Sequence, residues 1–235
     1  MRLDIEAVKE FYRAQKNVWP ERNEFYNYSR KEISRFINGL EFTGDELILN
    51  LGSGGNDYGL KNLMHHVDIV DTHILEFPKY TIADIEKLPF SNSEFSYIIC
   101  VGSVLNYSNA MESIAEISRI CKPRGKLIIE FECSSGLEYL RKSYFCQDAS
   151  VASLSYCNKN HAEWLYSEDY VNKILKEYSF TVKKTHRFHY VSSLLCGIIK
   201  NENIAGHAAK LDIIARNIPI LKKFSGNIML YCIKN

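Results

Sequence analysis

Residues 47–56 read LILNLGSGGN. Leu47, Ile48 and Leu49 form a short apolar run, Asn50-Leu51 follows, and glycines stand at 52, 54 and 55. An apolar run of that length bounded by glycines predicts a strand buried on both faces, as in a parallel sheet. Open α/β sheets take their ligands at the carboxyl ends of such strands. Glycine there accepts positive φ in a tight turn, and without Cβ it lets a ligand lie against the backbone. Alone, the loop says only that a nucleotide-like ligand belongs here.

Working outward, Val67–Val70 reads as a second strand with Asp71 at its tip and Thr72 beside it, 21 residues past Asn50. An acidic side chain about 20 residues after a glycine turn is placed to hold a ribose hydroxyl pair with its two acceptor oxygens. The dinucleotide fingerprint fails, because GxGxxG counted from Gly52 finds Gly54 but meets Asp57 where its third glycine belongs. The phosphate-loop pattern fails as well, since no Gly-Lys-Ser/Thr follows. Upstream, Ile5, Val8, Phe11 and Tyr12 at helical spacing predict a helix over 4–16. A second helix is predicted over 26–38, with Ile33, Phe36 and Ile37 inward and Gly39 as its stop. The aromatics of this front segment either pack a cap on the sheet or close a lid over a pocket.

Residues 81–107 read TIADIEKLPFSNSEFSYIICVGSVLNY. This stretch resembles the class I S-adenosylmethionine-dependent methyltransferases, in particular their small-molecule branch with a Leu-Pro-Phe motif. The matching residues are Ala83, Asp84, Ile85, Glu86, Leu88, Pro89, Phe90 and Phe95, then a fourth strand Tyr97–Val101 before Gly102-Ser103. The likeness continues through a helix over 109–120, Lys122-Pro123-Arg124-Gly125, and a fifth strand Leu127–Phe131. Each motif is weak alone; the ordered set from Leu47 to Glu132 is specific.

The resemblance implies S-adenosyl-L-methionine as cofactor. Gly52, Ser53 and Gly54 would cradle its methionine portion, Asp71 its ribose, and Asp84 with the Ile85 backbone its adenine. Val101, Gly102 and Ser103 would line the side where the methyl group is presented. The family usually ends its first strand in Asp or Glu; here Asn50 keeps an acceptor oxygen and loses the charge. The implied architecture is α/β and Rossmann-like: a seven-stranded mixed sheet of order 3-2-1-4-5-7-6, last strand antiparallel, flanked by helices and carrying a helical cap. The whole of 1–235 then reads as one methyltransferase domain, with 1–45 as cap, 46–135 as cofactor-binding core, and 136–235 as strands six and seven with acceptor-site insertions.

Beyond Glu132 the likeness thins. An irregular stretch precedes a helix over Ser167–Tyr178, capped by Ser167. Strand six is expected at Phe180–Phe188 and strand seven at Asn227–Ile233. Between them lies a helical insertion with Leu211, Ile214 and Ile218 on one face. His161, ahead of Trp164-Leu165-Tyr166, is a candidate general base, with a structural hydrogen bond as the plainer role. His65-His66 reads as a surface loop, and His186 with His189 lacks a third ligand at metal spacing.

The 235 residues are 46% hydrophobic and 12% aromatic, enough for a substantial core. The opening MRLDIEAVKE has no apolar leader core, and the longest uncharged apolar patch, at 191–199, is too short to cross a bilayer. Seven scattered cysteines with no CxxC pair suit a reduced, cytoplasmic protein. A net charge of +1 argues against a nucleic-acid coat protein. The balance is uneven: Met1–Ser135 carries 15 Lys/Arg against 20 Asp/Glu, and Gly136–Asn235 carries 14 against 8. The expected function is methyl transfer to an oxygen or nitrogen of a small metabolite, such as a sugar or specialised metabolite, with the basic half suggesting an anionic acceptor. A cofactor-binding protein without catalysis and an RNA or protein methyltransferase stay open as other classes.

Overall fold

The structure is a computed structural model that describes residues 3–15, 18–20, 22–42, 46–156 and 159–235. Two helices come first, α1 (Ile5–Arg13) and α2 (Glu24–Asn38). Asp4 caps α1 by accepting from the amides of Glu6 and Ala7, and Asn23 caps α2 through the amide of Phe25. The end of the predicted first helix, Lys16, lies outside the described residues, as does Cys157. Ile33 and Ile37, one turn apart on α2, are fully buried. Each contributes about 1.5–3 kcal/mol through burial, which fixes the helix to the sheet.

The central sheet is built from β1 (Ile48–Leu51), β2 (Met64–Asp68), β3 (Tyr80–Ile82), β4 (Phe95–Cys100) and β5 (Cys121–Glu132), with α3 (Ala110–Ile120) between the last two. A hairpin of β6 (Ala149–Tyr156) and β7 (Lys159–Tyr166) follows, then α4 (Glu168–Glu177) and β8 (Phe180–Phe188). Three helices, α5 (Val191–Ile199), α6 (Glu202–His207) and α7 (Ala209–Ala215), lead to β9 (Asn227–Lys234). Seven strands form one sheet ordered β3-β2-β1-β4-β5-β9-β8, and β9 is antiparallel to both neighbours. That is the order 3-2-1-4-5-7-6 once the hairpin is set aside.

Both faces of the sheet are covered, which is why β1 and β4 read as mostly apolar runs, broken only by Asn50 and Ser96. Leu49, Leu51, Ile98 and Cys100 face α3 and α4, while Ile48, Tyr97 and Ile99 face α2. The Leu-Pro-Phe segment is a clamped turn. Arg119 on α3 donates to the carbonyls of Leu88 and Phe90, and Glu116 accepts from the Leu88 amide.

Three expectations need correction. The second strand starts earlier than its apolar residues suggested, at Met64, so His65 and His66 are strand residues and not a surface loop. Their polarity is absorbed locally: His65 bonds Thr81 Oγ1 at 2.8 Å, and His66 bonds Ser53 Oγ at 3.1 Å and stacks on Phe77. The stretch read as irregular contains the β6–β7 hairpin, paired antiparallel from Ala149↔Tyr166 to Tyr156↔Lys159. On α7 the apolar face points outward. Leu211 and Ile214 are exposed, and the helix instead buries Ala209, Asp212 and Ala215. Asp212 earns its inward place as a cap, accepting from the amides of Val191 and Ser192 and from the Ser192 hydroxyl. Among the described residues no helix is long and apolar enough to cross a membrane.

Candidate active site

Two cavities open side by side at the carboxyl ends of β1, β2, β4 and β5. The smaller, about 70 Å³, is lined by Gly52, Gly54, Asp68, His73, Asp84 and Ile85, among others. Helix α1 covers it with Ile5, Val8 and Tyr12. The larger, about 340 Å³, lies under α2, the hairpin and the α5–α6 corner. Tyr12, Val18, Gly102 and Tyr107 line both, so the two spaces meet beside the end of β4.

The glycine loop owes its path to backbone freedom. Gly52 has φ of 60° and Gly54 of 50°, and a Cβ on Gly54 would fall 2.9 Å from Val18 Cγ2. Asp68, the last residue of β2, holds the loop in place. Its Oδ2 accepts from the Gly54 amide at 2.9 Å, and its Oδ1 accepts from Ile69 at 2.7 Å. Burial raises the Asp68 carboxyl, and these amide bonds oppose the rise. His73 Nε2, in the same cavity, is buried without a hydrogen-bond partner among the described residues.

These positions sort the expected cofactor residues. Gly52, Gly54, Asp84, Ile85 and Gly102 line the smaller cavity. Asp71 does not: β2 ends at Asp68, so Asp71 and Thr72 fall beyond the strand and are exposed. The strand-tip carboxylate is Asp68, three residues earlier. Sequence spacing missed it because Ile69 and Val70 after it look like strand. Asn50 is fully buried and donates to the Asn56 carbonyl at 2.7 Å, shaping the loop from beneath. Ser53 is likewise buried, bonded to His66 and accepting from the Gly55 amide. Val101 is a core residue. Ser103 lines the larger cavity.

His161 also lines the larger cavity, stacked between Phe11 and Tyr107 with ring centroids 5.2 and 5.7 Å away. Its Nε2 lies 3.4 Å from Glu163 Oε2, two residues along β7, where alternation turns both side chains to one face. Missed by sequence reading were the glutamates at the ends of β5 and β7. Glu130 accepts from the Gly102 and Ser103 amides at 2.8 and 2.7 Å, fixing the end of β4. Glu132 and Glu138 line the cavity beyond it. The sequence marked Leu127–Phe131 only as a strand, and it is the sheet's position that brings these glutamates to the cavity. Of the basic residues in the carboxyl-terminal half thought to surround the acceptor, Lys200 lines the cavity, whereas Lys183 and Lys184 are exposed on β8. Arg187 is paired with Glu168 at 2.9 Å. His189 is no ligand either: it is buried between the Ser29 and Ser192 hydroxyls, each 2.8 Å away.

Residues 56–129 match the family described as a methyltransferase domain. An uncharacterized protein of Methanocaldococcus jannaschii is 30% identical over 142 residues, 53% of this chain and 60% of that one. The ubiquinone/menaquinone biosynthesis C-methyltransferase of Rickettsia felis is 31% identical over 103 residues, 43% of this chain and 38% of that one. The chain thus spans 60% and 38% of the length of these two relatives, less than two thirds of either. Among solved structures, the Burkholderia thailandensis 1,6-didemethyltoxoflavin-N1-methyltransferase superposes with a TM-score of 0.58 at 12% identity, covering 98% of this chain and 87% of that one. The chain has the class I S-adenosylmethionine-dependent methyltransferase fold, and the methyltransferase-domain match runs from Asn56, just past the glycines of the loop, into β5.

Proposed function

We propose that this chain, as one catalytic unit, transfers a methyl group from S-adenosylmethionine to a small molecule held in the larger cavity. The observation that carries this is the meeting of the two cavities at Gly102, Tyr12, Val18 and Tyr107. A donor in one is thereby brought against an acceptor in the other. The smaller cavity suits the cofactor on its own chemistry. It offers a half-buried carboxylate at a strand tip, a cradle that a Cβ would fill, and an unpartnered imidazole nitrogen in His73.

In this reading Asp68 holds the ribose hydroxyls, Gly52 and Gly54 admit the methionine portion, and Asp84 with the Ile85 backbone meets the adenine. The cofactor brings an already activated sulfonium methyl, so the protein's part is alignment and exclusion of water. Trp19, Phe25 and Tyr26 serve the second purpose, walling the larger cavity. His161, steadied by Glu163, stands in the acceptor space and would take a proton from an acceptor that must lose one. The toxoflavin enzyme and the quinone-pathway enzymes methylate nitrogen and carbon respectively by their names. Their chemistry supports a small-molecule acceptor without fixing its atom.

The test is titration calorimetry with S-adenosylhomocysteine. Asp68→Asn should weaken binding about tenfold or more, the loss of roughly one charged hydrogen bond. Asp71→Ala should bind like the wild type. Full affinity in Asp68→Asn, or a loss confined to Asp71→Ala, would return the ribose role to the exposed residue.

A further inference from the structure

Five glutamates and two lysines line the larger cavity, and their circumstances differ. Glu130 is taken up by the Gly102 and Ser103 amides and by Asn227 Nδ2. Glu202 accepts from Asn23 Nδ2 and the Tyr26 hydroxyl. Lys142 and Lys200 are exposed at the rim, where water and salt screen them. Glu132, Glu163 and Glu138 remain.

Glu163 is 3% exposed. It shares a hydrogen bond with Glu132, whose carboxyl is held well above the usual range by burial and by Glu163 itself. Glu138 Oε2 is buried and has no hydrogen-bond partner among the described residues. Burial, then the charges of Asp212 and Glu163, push the Glu138 carboxyl up to about 8. None of the three lines the smaller cavity, whose carboxylates are Asp68 and Asp84, so they are not part of the cofactor's surroundings.

A buried carboxyl with unfilled acceptor capacity is an exception in native folds and asks what fills it. An anion entering this space makes Glu132, Glu138 and Glu163 still harder to ionise, and the one largely buried lining group that can carry a positive charge, His161, is already paired with Glu163. A neutral guest relieves the missing hydrogen bond but not the cost of ionising buried carboxyls. A cation relieves both, since its N–H groups donate and its charge lets the carboxyls ionise. The remaining walls are aromatic, with Trp19, Phe25, Tyr107 and Tyr139 among them, and ring faces attract cations as they pack apolar bodies.

We propose that the larger cavity binds a small organic cation, an ammonium group carried on an aromatic or apolar body, as the molecule this protein methylates. The ammonium group anchors it, another atom of the body takes the methyl as the S–CH3 bond breaks and S-adenosylhomocysteine leaves, and any proton that atom must lose passes to His161. The proposal rests on the methyltransferase reading for the word methylates, but not for the charge preference. It replaces the anionic acceptor suggested by the charge of the carboxyl-terminal half, because the cavity carries the opposite sign from that half.

The experiment uses three probes of similar shape: 2-phenylethylamine, 2-phenylethanol and 3-phenylpropionate. Each is titrated into the protein by calorimetry at neutral pH, with and without saturating S-adenosylhomocysteine. The amine should bind about tenfold more tightly than either companion. Glu138→Gln and Glu163→Gln should each erase most of that margin while leaving S-adenosylhomocysteine affinity unchanged. Parity among the probes, preference for the propionate, or no probe bound by a protein that takes up S-adenosylhomocysteine overturns the proposal. Failure to take up S-adenosylhomocysteine overturns the methyltransferase reading instead. The probe comparison on the protein alone then still decides the charge preference.

Discussion

Gly54 sits where three demands coincide. Its φ is positive, its amide donates to Asp68, and its missing Cβ leaves room for Val18 of the front segment. Valine there would need an uncommon backbone conformation and would press on Val18 and on any ligand beneath it. Gly54→Val is expected to lose S-adenosylhomocysteine binding by more than about tenfold while keeping a cooperative melt, since no core contact is removed. Calorimetry beside a thermal melt checks both halves. His189 is a residue of a different kind. Burial pulls its imidazole down to about 3 from an unfolded value near 6.5. Below pH 6.5 the unfolded chain binds a proton that the folded chain refuses, so stability from neutral His189 is whole above 6.5 and drains away as pH falls toward 3. His189→Asn, which tolerates the residue's φ of 60°, should show a shallower fall in melting temperature between pH 6.5 and 4 than the wild type. Parallel acid limbs in the two proteins would remove His189 as the cause.

At the scale of elements, the β6–β7 hairpin is the part that walls the larger cavity from one side. It brings His161 and Glu163 over the cavity, and it is tied down by few bonds. Asn106, fully buried, donates to the carbonyls of Glu132 and Trp164 at 2.9 and 2.6 Å and accepts from the Glu132 amide at 2.9 Å. It therefore pins β5 and β7 to the turn after β4. Tyr166 adds a second tie, its hydroxyl donating to the Ser108 carbonyl and accepting from the Ala110 amide. Asn106→Ala strands buried backbone groups on both strands and should cost about 2–4 kcal/mol in chemical denaturation. A loss below about 1 kcal/mol would mean that water replaces the amide and that the hairpin is held elsewhere.

For the whole molecule, the opposed charges of the two halves are arranged so that the sign of a half does not predict the sign of the site. Lys183 and Lys184 stand on β8, the edge strand of the sheet, and outside the larger cavity's lining. At physiological salt the screening length is about 8 Å, so exposed charges of this kind act weakly on a buried site. Charge reversal of both lysines to glutamate should change 2-phenylethylamine affinity by less than about twofold in 0.15 M salt. A larger change would show that the surface field reaches the cavity.

The likeness to the methyltransferases implied the strand order, and the amino-acid sequence by itself determined the position of the glycine loop and most strands and helices of the core. Those features are written in local patterns: apolar runs, glycines at fixed offsets, and caps such as Asn109 and Ser167 that accept from their own helices. The same likeness pointed to Asp84, Ile85 and Gly102, which line the cavities, and His161 was singled out by its place ahead of Trp164-Leu165-Tyr166. Only the tertiary structure decided where β2 ends, and hence that Asp68 rather than Asp71 stands at its tip. It alone turned α7 so that Asp212 faces in and Leu211 faces out. The same holds for the glutamates of β5, β7 and the turn after β5. They lie up to 33 positions apart in the sequence, from Glu130 to Glu163. They become one acidic site only when the hairpin folds back over the end of the sheet, and no local pattern records a long-range approach of that kind.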